Sequence, residues 1–286
     1  MTGMRILVAT DGSPHGWRAV RLAASLPWPD GSALRAVTAA PALAAESAPG
    51  VPQERDDLTQ AEAALRRPGL TADSRVLAGS AGSAIAEEAA TWGADVVVVG
   101  SRGHGTVRSM LLGSVAGAVV DHVHCPVLVA RGESVTSAVL ADDGSDGAGA
   151  ARAIVRTWPL FRTVPVRVVS VAHPFVPLAT GIAPTMRAAA AESYAADLAE
   201  SRERHRGFAA TSAAELRAAG IAVTEELREG DPGDRIVVAA AESGADLIVV
   251  GTRGTTGIRR ALLGSVARHV LLHAGCSVLI AREPGT

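Results

Sequence analysis

The sequence predicts an α/β fold of two tandem domains, each a five-stranded parallel sheet with helices on both faces. Three observations carry this prediction. The chain repeats itself: Gly100–Arg131 and Gly251–Arg282 align without a gap at an offset of 151 residues. Within each copy, short runs of Val, Ile and Leu alternate with helical patterns, and the runs are apolar on both faces, as strands of a covered parallel sheet are. Glycines and unusual polar residues gather after the first and fourth strands, where ligands enter open sheets of this kind.

The elements follow in order. Arg5–Ala9 reads as a buried strand and runs into Asp11-Gly12-Ser13-Pro14, a turn able to cap a helix over Gly16–Leu26. Leu34–Ala39 is a second strand, followed by a loop and a polar helix around Asp56–Arg67. Ser74–Ala78 is a third strand, Ala81–Trp92 a helix and Asp95–Val99 a fourth strand; Ser114–Val123 and Val127–Ala130 close the copy as helix and strand. Leu7–Ser13 returns as Val139–Ser145 at an offset of only 132, which leaves 19 extra residues inside the second copy. They lengthen a helix expected over Pro184–Ala219 and stopped by Gly220. The boundary falls near Gly132–Ser134, giving domains 1–132 and 133–286.

Composition narrows the function. All 27 cationic residues are arginine, against 29 acids, for a net charge of −2. Without lysine there is no Schiff base, no lysine general base and no G-x-x-x-x-G-K-[ST] phosphate loop. The even charge balance argues against a dedicated nucleic-acid binder. The longest apolar runs, such as Val96–Val99 and Leu247–Val250, fall far below the ~18 residues of a membrane helix, and the apolar stretch after Arg5 is too short for a signal peptide. Two cysteines, Cys125 and Cys276, imply no disulfide framework. The expectation is a soluble cytoplasmic protein with no nucleic-acid or membrane partner.

After the fourth strand comes Gly100-Ser101-Arg102-Gly103, then nine residues, then Gly113-Ser114 opening a helix; the second copy has Gly251-Thr252-Arg253-Gly254 and Gly264-Ser265 at the same spacing. Glycine allows positive φ and close backbone approach, and a helix N-terminus offers free N–H groups with partial positive charge. The pairing reads as a phosphate cradle built from main chain, so it needs no lysine. Arg102 and Arg253 inside the turns, with Arg108 and Arg259 beyond them, supply countercharge. Repetition by itself shows common descent of the copies rather than use. Asp11 and Asp143 end the first strands, where a carboxylate either accepts hydrogen bonds from a ribose or adenine or caps the next helix.

These motifs, ATDGS after the first strand, G-x-x-G-x9-G-S after the fourth and the closing CPVLVAR, resemble the universal stress protein family in its tandem, ATP-binding form, over nearly the whole chain. The resemblance implies that the last strands of the two domains pair antiparallel within the chain, with a homodimer left open. It implies bound ATP, with Mg2+ as companion cation, and a nucleotide-dependent regulatory role in stress response without well-defined catalysis. Residue by residue, it gives Asp11 and Asp143 contacts to the adenosine, with Ala9, Ala39, Ala141 and Val171 lining the adenine pocket. Val99 and Val250 precede the loop. Gly100, Gly103, Gly113, Ser114 and Val115, matched by Gly251, Gly254, Gly264, Ser265 and Val266, hold ribose and phosphates.

The second copy departs from the first at two points. Asp142 replaces Thr10, setting two adjacent acids beside the phosphates, which costs affinity when uncompensated. Thr255-Thr256 replaces His104-Gly105. The first site is therefore expected to bind more tightly. Two further classes stay open: a slow ATPase or nucleotidyl-transferring enzyme, for which the chain offers only His104, Asp11, Asp142 and Asp143, and an interaction protein with vestigial loops. His122-Val123-His124-Cys125 has the composition of a metal cluster, but the second copy keeps only His273 and Cys276, so packing at a helix end is preferred and no metal site is assigned. The two cysteines are expected to fill small gaps before the last strands.

Overall fold

The computed structural model describes residues 3–40, 51–103, 112–173, 184–252 and 263–282. The first half contains β1 (Arg5–Ala9), α1 (Pro14–Ser25), β2 (Ala33–Ala40), α2 (Val51–Leu65), β3 (Thr71–Ala78), α3 (Ala81–Trp92), β4 (Val96–Gly100), α4 (Ser114–His122) and β5 (Val127–Ala130). The second half contains β6 (Ala138–Ala141), α5 (Asp146–Thr157), a 3-10 turn at Pro159–Arg162, β7 (Val166–Ala172), α6 (Pro184–Ala218), β8 (Val223–Glu229), α7 (Pro232–Ser243), β9 (Leu247–Gly251), α8 (Ser265–His273) and β10 (Ser277–Ala281).

All ten strands form one sheet in the order β3-β2-β1-β4-β5-β10-β9-β6-β7-β8. Pairing is parallel within each half, and the halves meet where β5 runs antiparallel to β10, Leu128 opposite Leu279. The order reverses at β1/β4 and again at β6/β9, which puts a switch point at the carboxyl ends of those strands. Side chains alternate along each strand. Ile6 and Val8 join a core under α1, α2, α5 and α6, while Leu7 and Ala9 join another under α3, α4, α7 and α8. Among the described residues, no helix is long and apolar enough to cross a membrane.

Local sequence explains most boundaries. α1 starts two residues earlier than the periodicity suggested, because Ser13 accepts from the Gly16 amide at 3.1 Å and Pro14 suits the first helical position. It stops before Leu26, whose extended backbone precedes Pro27. β3 starts at Thr71 rather than Ser74: it is an edge strand, so its residues up to Asp73 pair with β2 while Thr71 and Asp73 meet water and only Ala72 packs inward. α6 ends at Ala218, with Gly220 at φ +80° behind it. Ala209, Ala213 and Leu216 of α6 face the core, and Arg202 and Arg204 pair with Glu229 and Glu200 at 2.7 and 2.6 Å on the outside.

A reciprocal clasp closes the seam between the halves. Arg131 follows β5 and donates to the carbonyls of Leu271 and Cys276 in the second half, at 2.5 and 3.3 Å. Arg282, its counterpart, donates to the Val120 carbonyl of the first half. Each guanidinium thus meets a carbonyl in the last turn of the other half's last helix, Leu271 or Val120, where positive charge is favoured. Trp28 and Trp158 meet edge to face across the same seam, 5.6 Å between ring centroids.

Candidate functional site

The mouth of the first half holds a cavity of about 310 Å3 between the ends of β1, β2 and β4 and the starts of α3 and α4. Ala9, Asp11, Ala39, Val99, Gly100, Arg102, Gly103, Gly113, Ser114 and Val115, all singled out above, line this one space. Thr10, met above only as the counterpart of Asp142, completes the wall with Gly16, Val37, Thr38, Ala81, Ile85 and Ala116, none of which was singled out for the site. Ala81 and Ile85 arrive with α3, a non-local approach whose local sign is Gly79, at φ +116° before that helix.

The glycines act differently from expectation. Among the described cradle glycines, none has positive φ; that conformation falls on Gly12 and Gly144 in the turns after β1 and β6. Gly100 is glycine because α1 crosses the end of β4 so closely that a Cβ would strike the His15 carbonyl, and Gly251 meets the Gly147 carbonyl in the same way. At Gly103 a Cβ would meet the Asp11 carboxylate. The two ends of the long loop are pinned by one hydrogen bond, Gly113 N–H to the Ser101 carbonyl at 2.8 Å. The second half repeats the pin with Gly264 and Thr252 at 2.6 Å. Gly113 and Gly264 are the N-caps of α4 and α8 and bring no capping side chain, so neither helix start is closed by its own cap residue.

Asp11 is separated from the capping role. Ser13 caps α1, while Asp11 accepts from the Ser13 amide at 3.1 Å and keeps a place in the cavity wall. Asp143 repeats this with Ser145, whose amide and hydroxyl reach it at 3.1 and 2.5 Å. His15 lies behind the cavity, its Nδ1 3.5 Å from Ser101 Oγ and 3.4 Å from Arg18. Burial first, then Arg18 and Arg102, lower its pKa below the ordinary histidine value.

In the second half Ala141, Asp143, Val171, Val250, Gly251, Gly264, Ser265 and Val266 hold the matching positions at the β6, β7 and β9 ends and the α8 start. Arg253 and Gly254 lie outside the described residues, as do His104, Gly105, Arg108, Thr255, Thr256 and Arg259. The expected repulsion from Asp142 is corrected by the structure. Its side chain is fully buried, pairs with Arg152 at 2.8 Å and accepts from Ser212 at 2.6 Å. Its charge is thus compensated within the core, so it gives no ground for ranking the two sites. The aligned residues of the first half are Thr10, Val20 and Ala61, so the hydroxyl, isopropyl and methyl groups there are replaced together by an ion pair and its hydroxyl partner.

The extended α6 also changes the second mouth. Its Phe208 ring packs on Gly144, where the first half has Asp57, and His205 shares a 2.9 Å hydrogen bond with Ser170 at the β7 end. Burial lowers the His205 pKa below 6.5 ahead of attraction by Asp143 and Asp142, with Arg204 and His173 pushing the same way as burial. The fold therefore holds the neutral ring, and the unfolded chain binds the proton better. Stability from this group is complete above pH 6.5 and is lost as pH falls. The melting temperature of wild type is expected to drop between about pH 6.5 and 5 by more than that of a His205→Gln variant. Equal slopes for the two proteins would remove His205 from the account.

The set-aside clusters resolve simply. His122 donates Nδ1–H to the Ala118 carbonyl at 2.7 Å. Cys125 and Cys276 are free, half-buried and packed on the core, and burial pushes their thiols up to about 12 and about 11. They are inert gap-fillers at neutral pH.

Comparison with known proteins agrees with this architecture. The sequence profile of the universal stress protein family matches residues 4–131 and 136–282. A universal stress protein of Methanocaldococcus jannaschii is 48% identical over 65 residues, 23% of this chain and 38% of that protein, so the match spans well under two thirds of the relative's length. One from Thermus aquaticus is 35% identical over 133 residues, 44% of this chain and 97% of the relative. The crystal structure of a universal stress protein from Archaeoglobus fulgidus superposes over 97% of this chain and 98% of its own, with a TM-score of 0.63 at 17% identity, a likeness of fold. With the profile matched twice and nearly end to end, the chain belongs to the universal stress protein family.

Proposed function

We propose that the first half binds an adenine nucleotide, ATP in particular, in the cavity at the β1/β4 switch point, and that the protein acts as a nucleotide-dependent regulator in the stress response. The observation that carries this reading is the convergence of apolar wall, carboxylate and open helix start on one cavity of about 310 Å3, the low end of small-ligand sites. Ala9, Val37, Ala39, Ile85 and Val99 offer an apolar slot for a purine ring. Asp11 is the acceptor for ribose hydroxyls, and the first-turn amides of α4 with the Arg102 guanidinium receive phosphate oxygens. Mg2+ travels with the phosphates and keeps most of its waters.

The same wall speaks against efficient turnover. Its ionisable side chains among the described residues are Asp11 and Arg102, and phosphoryl transfer needs a water-orienting group and metal ligands besides a phosphate cradle. The two family units are taken as 1–132 and 133–286, joined in the segment between β5 and β6, with the second unit keeping the matching positions at a mouth reshaped by Phe208 and His205 of α6. The cytoplasm is the proposed compartment, in keeping with two free cysteines. Mass spectrometry of ligand released from freshly purified protein tests the reading. An adenine nucleotide is the expected result; a protein that carries none and takes up none on incubation with ATP would place the cradle among inherited remnants.

A further inference from the structure

On the outer side of the second half, three ligand-type side chains converge from two helices. Asp231 is the N-cap of α7, Asp234 lies in its first turn, and His269 projects from α8. One oxygen of each carboxylate and one ring nitrogen of His269 all lie within 4.8 Å of one another, with Asp234 Oδ1 2.8 Å from His269 Nε2. The close approach of the helices is built in, since a Cβ on Gly233 would sit 2.7 Å from the His269 ring. His273 stacks on His269 at 4.1 Å between centroids and donates Nδ1–H to the His269 carbonyl at 2.9 Å, which holds both rings in place.

This arrangement is absent from the other copy. The aligned residues there are Ser80, Ser83 and Ala118: Ser80 Oγ donates to Ser83 Oγ at 3.1 Å, and Gly82 faces the Ala118 methyl. Helix capping accounts for Asp231, which accepts from the Asp234 amide at 3.1 Å. It does not account for a second carboxylate in the same first turn lying 2.8 Å from an imidazole of the neighbouring α8.

We propose that Asp231, Asp234 and His269 form a divalent transition-metal site, with Zn2+ as its cation. Two carboxylates and a neutral imidazole carry a charge of −2, which a divalent ion neutralises. Mixed oxygen and nitrogen donors suit Zn2+, and three protein ligands leave a fourth position for water. Mg2+ and Ca2+ want six or more oxygens and gain little from an imidazole. Asp231 retains lone pairs for a metal beyond the one that caps α7. The bound ion would tie the first turn of α7 to α8, whose start at Gly264–Ser265 forms part of the second mouth, and would stabilise that half by mass action.

The test is calorimetric titration of the chelator-treated, full-length protein with Zn2+. Wild type is compared with H269A and with the triple variant D231S/D234S/H269A, which restores two of the first half's side chains and, at the third position, its alanine. Wild type is expected to bind one Zn2+ equivalent that both variants lose, while their circular dichroism in chelator matches wild type. Zn2+ should raise the melting temperature of wild type and leave that of the triple variant unmoved. No Zn2+ uptake by wild type, or equal uptake by the triple variant, overturns the proposal. So does a Zn2+ equivalent lost in H122A/H124A and kept in H269A.

Discussion

Replacing Arg152 with methionine is expected to cost about 3–5 kcal/mol of stability, because it strands the fully buried Asp142 carboxylate with only Ser212 and a turn amide for partners. For a chain of this size that is a fall of roughly 6–20 °C in melting temperature. The pair itself is a poor source of stability, since desolvating two charges offsets most of their attraction. The first half supplies the control. At the aligned positions it uses Thr10, Val20 and Ala61 and buries them just as well. The triple change Asp142→Thr, Arg152→Val, Ser212→Ala is therefore expected to be near neutral or stabilising, in contrast with the single change. Thermal or denaturant unfolding of both variants decides the matter. A single variant no less stable than the triple would mean that Asp142 is not held as an ion pair.

Gly100→Val is the second large effect. The end of β4 meets the first turn of α1 main chain to main chain, so the added atoms would press on the His15 carbonyl and the Gly16 amide. Neither is a side chain that can swing away. Overpacking of this kind costs about 3 kcal/mol, the upper part of its usual range, and it would also shift α1 across the cavity mouth. Gly103→Val is the contrasting change. Gly103 is exposed, and among the described residues a Cβ there meets only the tip of Asp11, so stability should move by about 0.5 kcal/mol or less while the cavity fills. Unfolding curves for the two variants should separate clearly; superimposable curves would refute the close packing at Gly100.

What the sequence made legible follows from how local each signal is. β1, α3 and β5 fall where their apolar runs and flanking turns put them, because run, cap and stop lie within a few residues. The start of β3 escaped because an edge strand needs no apolar alternation on its wet side. At the site, the ten first-half residues named from the glycine motif and the family resemblance all line one cavity. Ala81 and Ile85 were missed because α3 approaches the cavity only after folding, whereas Val37 lies two residues before Ala39 on the same strand and the same face. Gly100 was noticed for the right spacing but the wrong reason: its partner is the backbone of α1, brought over the sheet by the parallel crossover. Asp142 was misjudged because Arg152 and Ser212 are invisible until α5 and α6 pack. Aligning the two halves position by position does expose that trio, since Thr10, Val20 and Ala61 change together.

In the proposed complex a nucleotide sits in the first-half cavity, held by the α4 start and Asp11 rather than by a lysine loop. Titration of ATP into wild type, Gly103→Val and Asp11→Ala proteins tests it most directly. Wild type is expected to bind ATP, Gly103→Val to lose the first-half equivalent with its melting curve intact, and Asp11→Ala to weaken the same equivalent by about tenfold or more, the worth of a charge-assisted hydrogen bond. ATP binding of unchanged affinity and stoichiometry in both variants, or none in wild type, would contradict it.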